Sequence, residues 1–434
     1  MKTPETAKAT HIDLLSFSTA PMRAFHMTWI AFFVCFTAWF AVAPLMAVVR
    51  DDLKLTKEQI GNTVIASVAI TVIARLLTGW LLDRIGPRIT YTGLLILGSL
   101  PVMGIGLSDD YASFLLFRLA IGAVGASFVI TQFHTTVMFA PNIVGTANAV
   151  TAGWGNLGGG VAQFIMPAIL GVFVGLGVDQ FVAWRLAMIV PGAMMLLTGF
   201  AYYFLTQDSP DGKPVVMKRP ALGAFREACA DYRVWLLFVL YGACFGVEIT
   251  IDNVAALYFR DHFQLSLGAA GFLAGLTGMM NIFARALGGY LGDRWGRRWG
   301  LHGRSRLLGL ILFGQGIALA LFAAFTDVVP AVAAFVVFGL LVCMACGATY
   351  AITPFINPNA IGAVAGIVGA GGNVGAVLAG LLFKMETISA TQAFLILGIV
   401  VTITSPLTLA LRFPSLVESK PGLKHPEDQV ALTA

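Results

Sequence analysis

"ARLLTGWLLDRIGPR" occupies residues 74–88 and "ARALGGYLGDRWGRR" occupies residues 284–298. The two align without a gap and share Ala, Arg, Leu, Gly, Leu, Asp, Arg, Gly and Arg in register. They lie near half a chain length apart, so the chain is built from two parallel repeats. In each copy an arginine, Arg75 or Arg285, stands in an apolar stretch eight residues before an aspartate, Asp83 or Asp293. An arginine in mid-membrane costs several kcal/mol. A matched pair at that depth therefore asks for a purpose.

The composition calls for a bilayer around those repeats. Of 434 residues, 58% are hydrophobic and 11% charged, against about 25% charged in soluble domains, and the mean hydropathy is +0.84. Apolar runs of about 20 residues, long enough to cross the hydrocarbon, begin near Ala24, Glu58, Ile89, Tyr111, Val144, Phe181, Tyr232, Ser266, Arg306, Val329, Ile361 and Thr391. The expected fold is an all-α membrane protein of about twelve transmembrane helices in two pseudo-symmetric six-helix halves. The polar stretch "TQDSPDGKPVVMKRPALGAFREACADYR" (206–233) separates them. The expected layout is a tail 1–23, a first half 24–206, a linker 207–231, a second half 232–412 and a tail 413–434.

Charge sets the orientation. With the N-terminus inside, the outer loops hold only Arg50, Lys54, Lys57, Arg260 and Lys384, with Arg185 near the outer end of the sixth helix. The other Lys and Arg side chains crowd the inner segments, so both termini are expected to be cytoplasmic. This bias accounts for the net charge of +5 and the pI near 9.0 without any nucleic-acid partner. The first twenty or so residues are too polar for a signal-peptide core, so the first apolar run is retained as a helix. Cys343 and Cys346 form a CxxC inside a predicted membrane helix with no His or carboxylate nearby in sequence. Packing, not a metal site or redox work, is the expected role.

At 1.5 Å per residue, eight residues place Arg75 and Arg285 about 12 Å inside the boundary marked by the aspartates, close to mid-membrane. Two such guanidinium groups repel unless an anion or a carboxylate lies between them. An anion site is the economical reading, since arginine offers planar, paired donors to oxyanions. The alternative, a buried carboxylate partner for each, is limited by supply: embedded acids are nearly confined to Glu248 and Asp252. Glu248 is read as an arginine counter-ion or a proton carrier. Asp252 is read as close enough to the outer end to be wetted. Both belong to "YGACFGVEITID" (241–252), where Tyr241, Phe245, Glu248 and Asp252 fall on one helical face.

A second repeated pair is glycine-rich. "GTANAVTAGWGNLGGG" (145–160) and "GAVAGIVGAGGNVGAV" (362–377) match Asn156 with Asn373. Close helix packing explains the glycines. A carboxamide at the same place in both repeats points to ligand contact or support of an arginine.

The paired G-x-L-x-D-R-x-G motifs at Gly79 and Gly289 resemble the loop signature of the major facilitator superfamily. The two glycine-rich stretches, the arginine pair and "YGACFGVEITIDN" resemble its nitrate/nitrite porter family, in particular the high-affinity branch of bacteria, cyanobacteria, algae and plants. The resemblance implies that Arg75 and Arg285 bind nitrate, and that Asn156, Asn373, Tyr241, Phe245 and Phe128 of "GAVGASF" contribute to the same site. It implies gating or structural roles for Asp83, Arg84, Asp293, Arg294 and for Arg118 in the fourth helix. His134, deeper in that helix, is read as a packing residue.

The short linker and tail fit a bacterial member, hence a multi-pass protein of the inner membrane. The expected activity is import of nitrate, with nitrite as a candidate second anion, by alternating access and with Glu248 coupling transport to protons. Nitrate/nitrite exchange is the nearest rival. A non-transporting anion receptor is disfavoured by the short soluble segments, and an enzyme by the lack of a nucleotide loop, metal cluster or nucleophile–base pair. No cofactor is expected, and the monomer is the expected functional unit.

Overall fold

The computed structural model describes residues 8–140, 143–213, 221–357 and 361–413, and of these the side chains of Asp83, Ala221, Leu222, Ala224 and Ile361 lie outside the description. Twelve crossings result: α1 (Ala20–Leu53), α2 (Lys57–Leu82), α3 (Arg84–Leu107), α4 (Tyr111–Met138), α5 (Val144–Gly175), α6 (Gln180–Leu205), α7 (Tyr232–Phe263), α8 (267–298), α9 (301–324), α10 (Val328–Phe355), α11 (Gly362–Lys384) and α12 (Ala390–Ala410). Odd-numbered helices start on one face, here proximal, and end on the other, distal.

Local chemistry sets the helix ends. Thr19 accepts from the Met22 amide, which starts α1 at Ala20, slightly earlier than the sequence reading. Thr56 with Gln59, Asp110 with Ser113 and Ser389 with Gln392 form reciprocal caps for α2, α4 and α12. The repeated motifs bend differently. In the first turn of α3 the chain bends at Gly86, φ 78°, inside the motif, whereas α8 runs on through its copy and the chain turns at Gly300, φ 62°. Both angles lie in the left-handed region where only glycine is unstrained.

The seventh helix departs from regular periodicity. A π-turn spans Gly242–Gly246, where Gly242 and Gly246 pack against the backbone of α11 at Gly371, Gly372 and Gly375. With no side chains to space the helices, the wider turn brings them together. Asp252 is also not wetted: it is 7% exposed and enclosed between the halves.

Those halves close on the distal face. Gly160 of α5 meets Gly278 of α8 backbone to backbone, and Gly271 meets the Gln163 carbonyl. Arg50 pairs with Asp261, Glu58 with Lys384 at 3.2 Å, and Lys57 caps the carbonyls of Met385 and Ile388. Deeper in, Arg118 donates to Asn253 at 3.0 Å. On the proximal face Gly145, Gly362 and Gly366 have nothing within 4 Å of where a Cβ would stand. The described contacts between the halves thus gather on the distal side.

The glycine contact makes a prediction independent of any substrate. Gly278→Leu should hold the distal seam apart, so a short thiol crosslinker bridging Arg50→Cys and Asp261→Cys should react about tenfold more slowly than in the native background, equivalent to ~1.4 kcal/mol of lost closure. An unchanged rate would show that this contact does not govern the seam.

Candidate functional site

The two arginines meet at one cavity but are not equivalent. Arg285, on α8, donates from Nη2 to both oxygens of Glu248 on α7 at 3.0 and 2.8 Å. Its Nε binds Asn281 Oδ1, and Asn281 Nδ2 reaches Glu248 Oε1 at 3.0 Å. Cys346 and Cys343 of α10 bring their sulfurs to 3.4 and 3.9 Å from the same carboxylate. Arg75, on α2, has no carboxylate partner among the described residues. Its Nη1 donates to the Gly369 carbonyl of α11 at 3.2 Å, and its buried Nε has no partner. The pair expected to be symmetrical thus consists of one compensated and one uncompensated charge.

Aromatic walls surround them. The Arg75 guanidinium lies 5.7 Å from the Phe128 ring centroid and that of Arg285 5.4 Å from Phe245, each over a ring face that favours cations. Tyr241 stacks on Phe245 at 5.1 Å and meets Tyr350 edge-on at 5.2 Å. Asn156 and Gly369 complete the lining. The free space within, ≈ 10 Å³, is about that of one ordered water. A Cβ on Gly369 would stand 3.3 Å from the Tyr350 hydroxyl and 3.5 Å from Arg75 Nη1, so glycine keeps this corner open. The Tyr350 hydroxyl is buried with no hydrogen-bond partner among the described residues.

Six of the seven residues read as substrate contacts therefore converge: Arg75, Arg285, Asn156, Tyr241, Phe245 and Phe128. Asn156 donates to its own helix at Ala152 O, 2.8 Å, leaving its oxygen available. Asn373 does not join them. It is fully buried, neither amide atom has a partner among the described residues, and Gly369 one turn earlier takes the cavity position. The rotation of α11 is fixed by Gly371 against the Phe238 carbonyl and Gly375 against Gly242, and sequence register alone does not carry that rotation. Similar contacts, Gly155 on Phe32 and Gly158 on the Phe33 carbonyl, account for the glycines of α5 as packing.

The sequence reading missed Tyr350 and Asn281. Helical spacing offered a signal for both, since Asn281 precedes Arg285 by one turn and Tyr350 follows Cys346 by one turn. The CxxC thiols are free and buried, and they pack on a carboxylate that comes from another helix.

The remaining residues lie apart from the cavity. Asp293 pairs at 3.0 Å with Arg304, which also binds the Ala351 carbonyl. Arg84 stacks on Trp80 at 4.1 Å, and Arg294 is exposed. The Asp83 side chain lies outside the described residues. Arg118 is fully buried on Trp39 O, Ser67 Oγ and Asn253 Oδ1, with no carboxylate. His134 is satisfied at both nitrogens, by the Tyr202 hydroxyl at 2.5 Å and Gln207 O at 2.8 Å.

Comparison with known proteins agrees with this arrangement. A profile of the Major Facilitator Superfamily matches residues 28–380. The chain is 38% identical to the high affinity nitrate transporter 2.5 of Arabidopsis thaliana, over 90% of its own length and 80% of the relative's. It is 38% identical to nitrate transporter 2.1 of Chlamydomonas reinhardtii, covering 94% and 77%. With the nitrate/nitrite transporter NrtP of Nostoc punctiforme the identity is 30%, covering 86% and 88%. In fold it is similar to a D-xylose-proton symporter (TM-score 0.72, 13% identity, covering 93% and 100%). A bacterial homolog of the human lysosomal transporter Spinster gives TM-score 0.72 at 16% identity, covering 92% and 98%. With two six-helix halves closing on an arginine-lined cavity, and relatives of this identity along nearly its whole length, the chain belongs to the nitrate/nitrite porter family of the Major Facilitator Superfamily.

Proposed function

We propose that this protein imports nitrate, with nitrite as a second anion, across the bacterial inner membrane by alternating access, and that a proton travels with the anion. The observation that carries the reading is the unequal arginine pair in a ring-walled cavity. Arg75 holds an unneutralised charge on a single carbonyl, the weakest claim on a guanidinium in the site. A planar oxyanion can replace Gly369 on Arg75, accept from the Tyr350 hydroxyl and lie against the rings. The similarity to nitrate transporters supports nitrate as that anion. The outer-loop scarcity of Lys and Arg supports a cytoplasmic proximal face.

Proton coupling follows from charge. Arg75, Arg285 and ionised Glu248 sum to one positive charge. Nitrate together with a proton on Glu248 leaves that sum unchanged, and it removes the like-charge repulsion between nitrate and carboxylate in one desolvated cavity. A protonated Glu248 also releases the Arg285 fork to the anion. Anion and proton therefore favour each other's binding, and reciprocity makes the effect equal in both directions. Exchange with nitrite is the second reading. It is favoured by the saturation of Glu248 by Arg285, Asn281 and the two thiols, which already occupy the carboxylate.

Two sets of variants test these claims. Arg75→Lys and Arg285→Lys keep the charge and lose the planar fork, so each should weaken nitrate binding about tenfold to a hundredfold, in line with a charged hydrogen bond of ~1.5–3 kcal/mol. Purified protein titrated with nitrate gives the answer, and unchanged affinity in either variant would make that arginine structural. In the wild type nitrate affinity should rise as pH falls, by up to about tenfold per unit for one coupled proton. Glu248→Gln should flatten that dependence and abolish nitrate accumulation driven by a pH gradient in proteoliposomes. Accumulation at the wild-type level would remove Glu248 from the coupling role.

A further inference from the structure

We propose that Asp252 is a proton-binding site separate from the anion cavity, filled as the distal seam closes; the link to closure rests on the alternating-access reading above. Asp252 lies one turn beyond Glu248 along α7, towards the distal face. The residue is 7% exposed, and among the described residues its buried Oδ1 has no hydrogen-bond partner. Among the described residues it has no ion-pair partner.

The charges around it are already engaged. Glu248, on the same helix, holds Arg285 of α8. Arg118 of α4 is bound to Asn253, the next residue on α7. The α10 helix contributes the Cys343 thiol, itself within 3.9 Å of Glu248. From the first half α5 presents Gly159, where a Cβ would stand 3.4 Å from Asp252 Oδ2, and Gln163. The Gln163 amide donates at 2.6 Å, but to the Asp252 backbone carbonyl and not to the carboxylate.

An ionised carboxylate in this place would be a buried charge without a partner, which costs several kcal/mol. A proton removes that charge. It also supplies the donor the pocket lacks, because Gln163 Oε1 is a buried acceptor with no donor and its side chain already lies against Asp252. One proton would satisfy two orphaned oxygens. The contacts on Asp252 from Gly159 and Gln163 of α5 come from the other half, so they exist only while the seam is shut. When the halves part, water replaces Gln163 and Gly159, and an aspartic acid in water releases its proton at neutral pH.

Infrared spectroscopy of the reconstituted full-length protein tests this without reference to transport. At neutral pH a protonated-carboxyl C=O band is expected. It should disappear in Asp252→Asn and remain in Glu248→Gln. If Asp252→Asn fails to fold, ¹³C-labelled aspartate in the wild type should shift the band, since Glu248 and Asp252 are the buried acids among the described residues. A missing band, a band that survives Asp252→Asn or one that ignores the label would overturn the proposal. In Gly278→Leu, with the seam held apart, the band should be lost at neutral pH, and its persistence would refute the link to closure. The outcomes are separable from those for Glu248: the band can follow Asp252 while Glu248→Gln still accumulates nitrate, or the reverse.

Discussion

A guanidinium group cannot give up its charge, so a protein that buries two of them at one depth must find compensation for each or leave one exposed to a ligand. This chain does both. Arg285 is locked by a carboxylate, a carboxamide and a ring face, while Arg75 has a carbonyl and a ring face alone. A second carboxylate opposite Arg75 would neutralise the cavity and leave no reason for an anion to enter. In the proposed anion site the asymmetry between the repeats is therefore the condition for binding, imposed on a scaffold of two repeated halves.

The seventh helix carries that condition across the molecule. From the proximal end it presents Tyr241 and Phe245 to the cavity, Glu248 to Arg285, Asp252 to the α5 seam and Asn253 to Arg118. The π-turn at Gly242–Gly246 follows Tyr241, contains Phe245 and ends two residues before Glu248, and such turns mark places where a helix departs from regular pairing at functional sites. A change in the arginine–carboxylate pair and a change at the distal seam thus act on neighbouring turns of one rigid element, only four residues apart. Buried Arg118, with no carboxylate of its own, ties this element to α1, α2 and α4, so opening the seam must break a charge-assisted hydrogen bond.

The repeat made much of this legible. A gapless match between 74–88 and 284–298 contains the two-fold plan, the arginine depth and the motif aspartates, because depth along a helix is a matter of counting at a fixed rise. Helix rotation is not. Asn373 aligned with Asn156 in sequence, but glycine contacts between α7 and α11 fix which residue of α11 faces inward, and that residue is Gly369. Asn281 and the Cys343 and Cys346 thiols acquire their roles from Glu248, which reaches them from a different helix, and Tyr350 takes its place from Tyr241 of α7 and Gly369 of α11. Spacing can suggest such partners only after one member of the set is placed. The π-turn escaped for the same reason, since it arises where two glycine-lined backbones approach and has no periodic signature of its own.

Glu248 and Asp252 show how two acids of one helix can differ by environment alone. Glu248 faces a permanent cation within its own half, so its neighbours persist whichever way the molecule opens, and only an anion competing for Arg285 alters them. Asp252 faces glutamine and glycine from the other half, so under alternating access its surroundings would be made and unmade by the seam. A proton on the first would respond to cargo and a proton on the second to conformation. Binding and closure would then each carry a protonation step, and an empty carrier could not close distally without also satisfying Asp252.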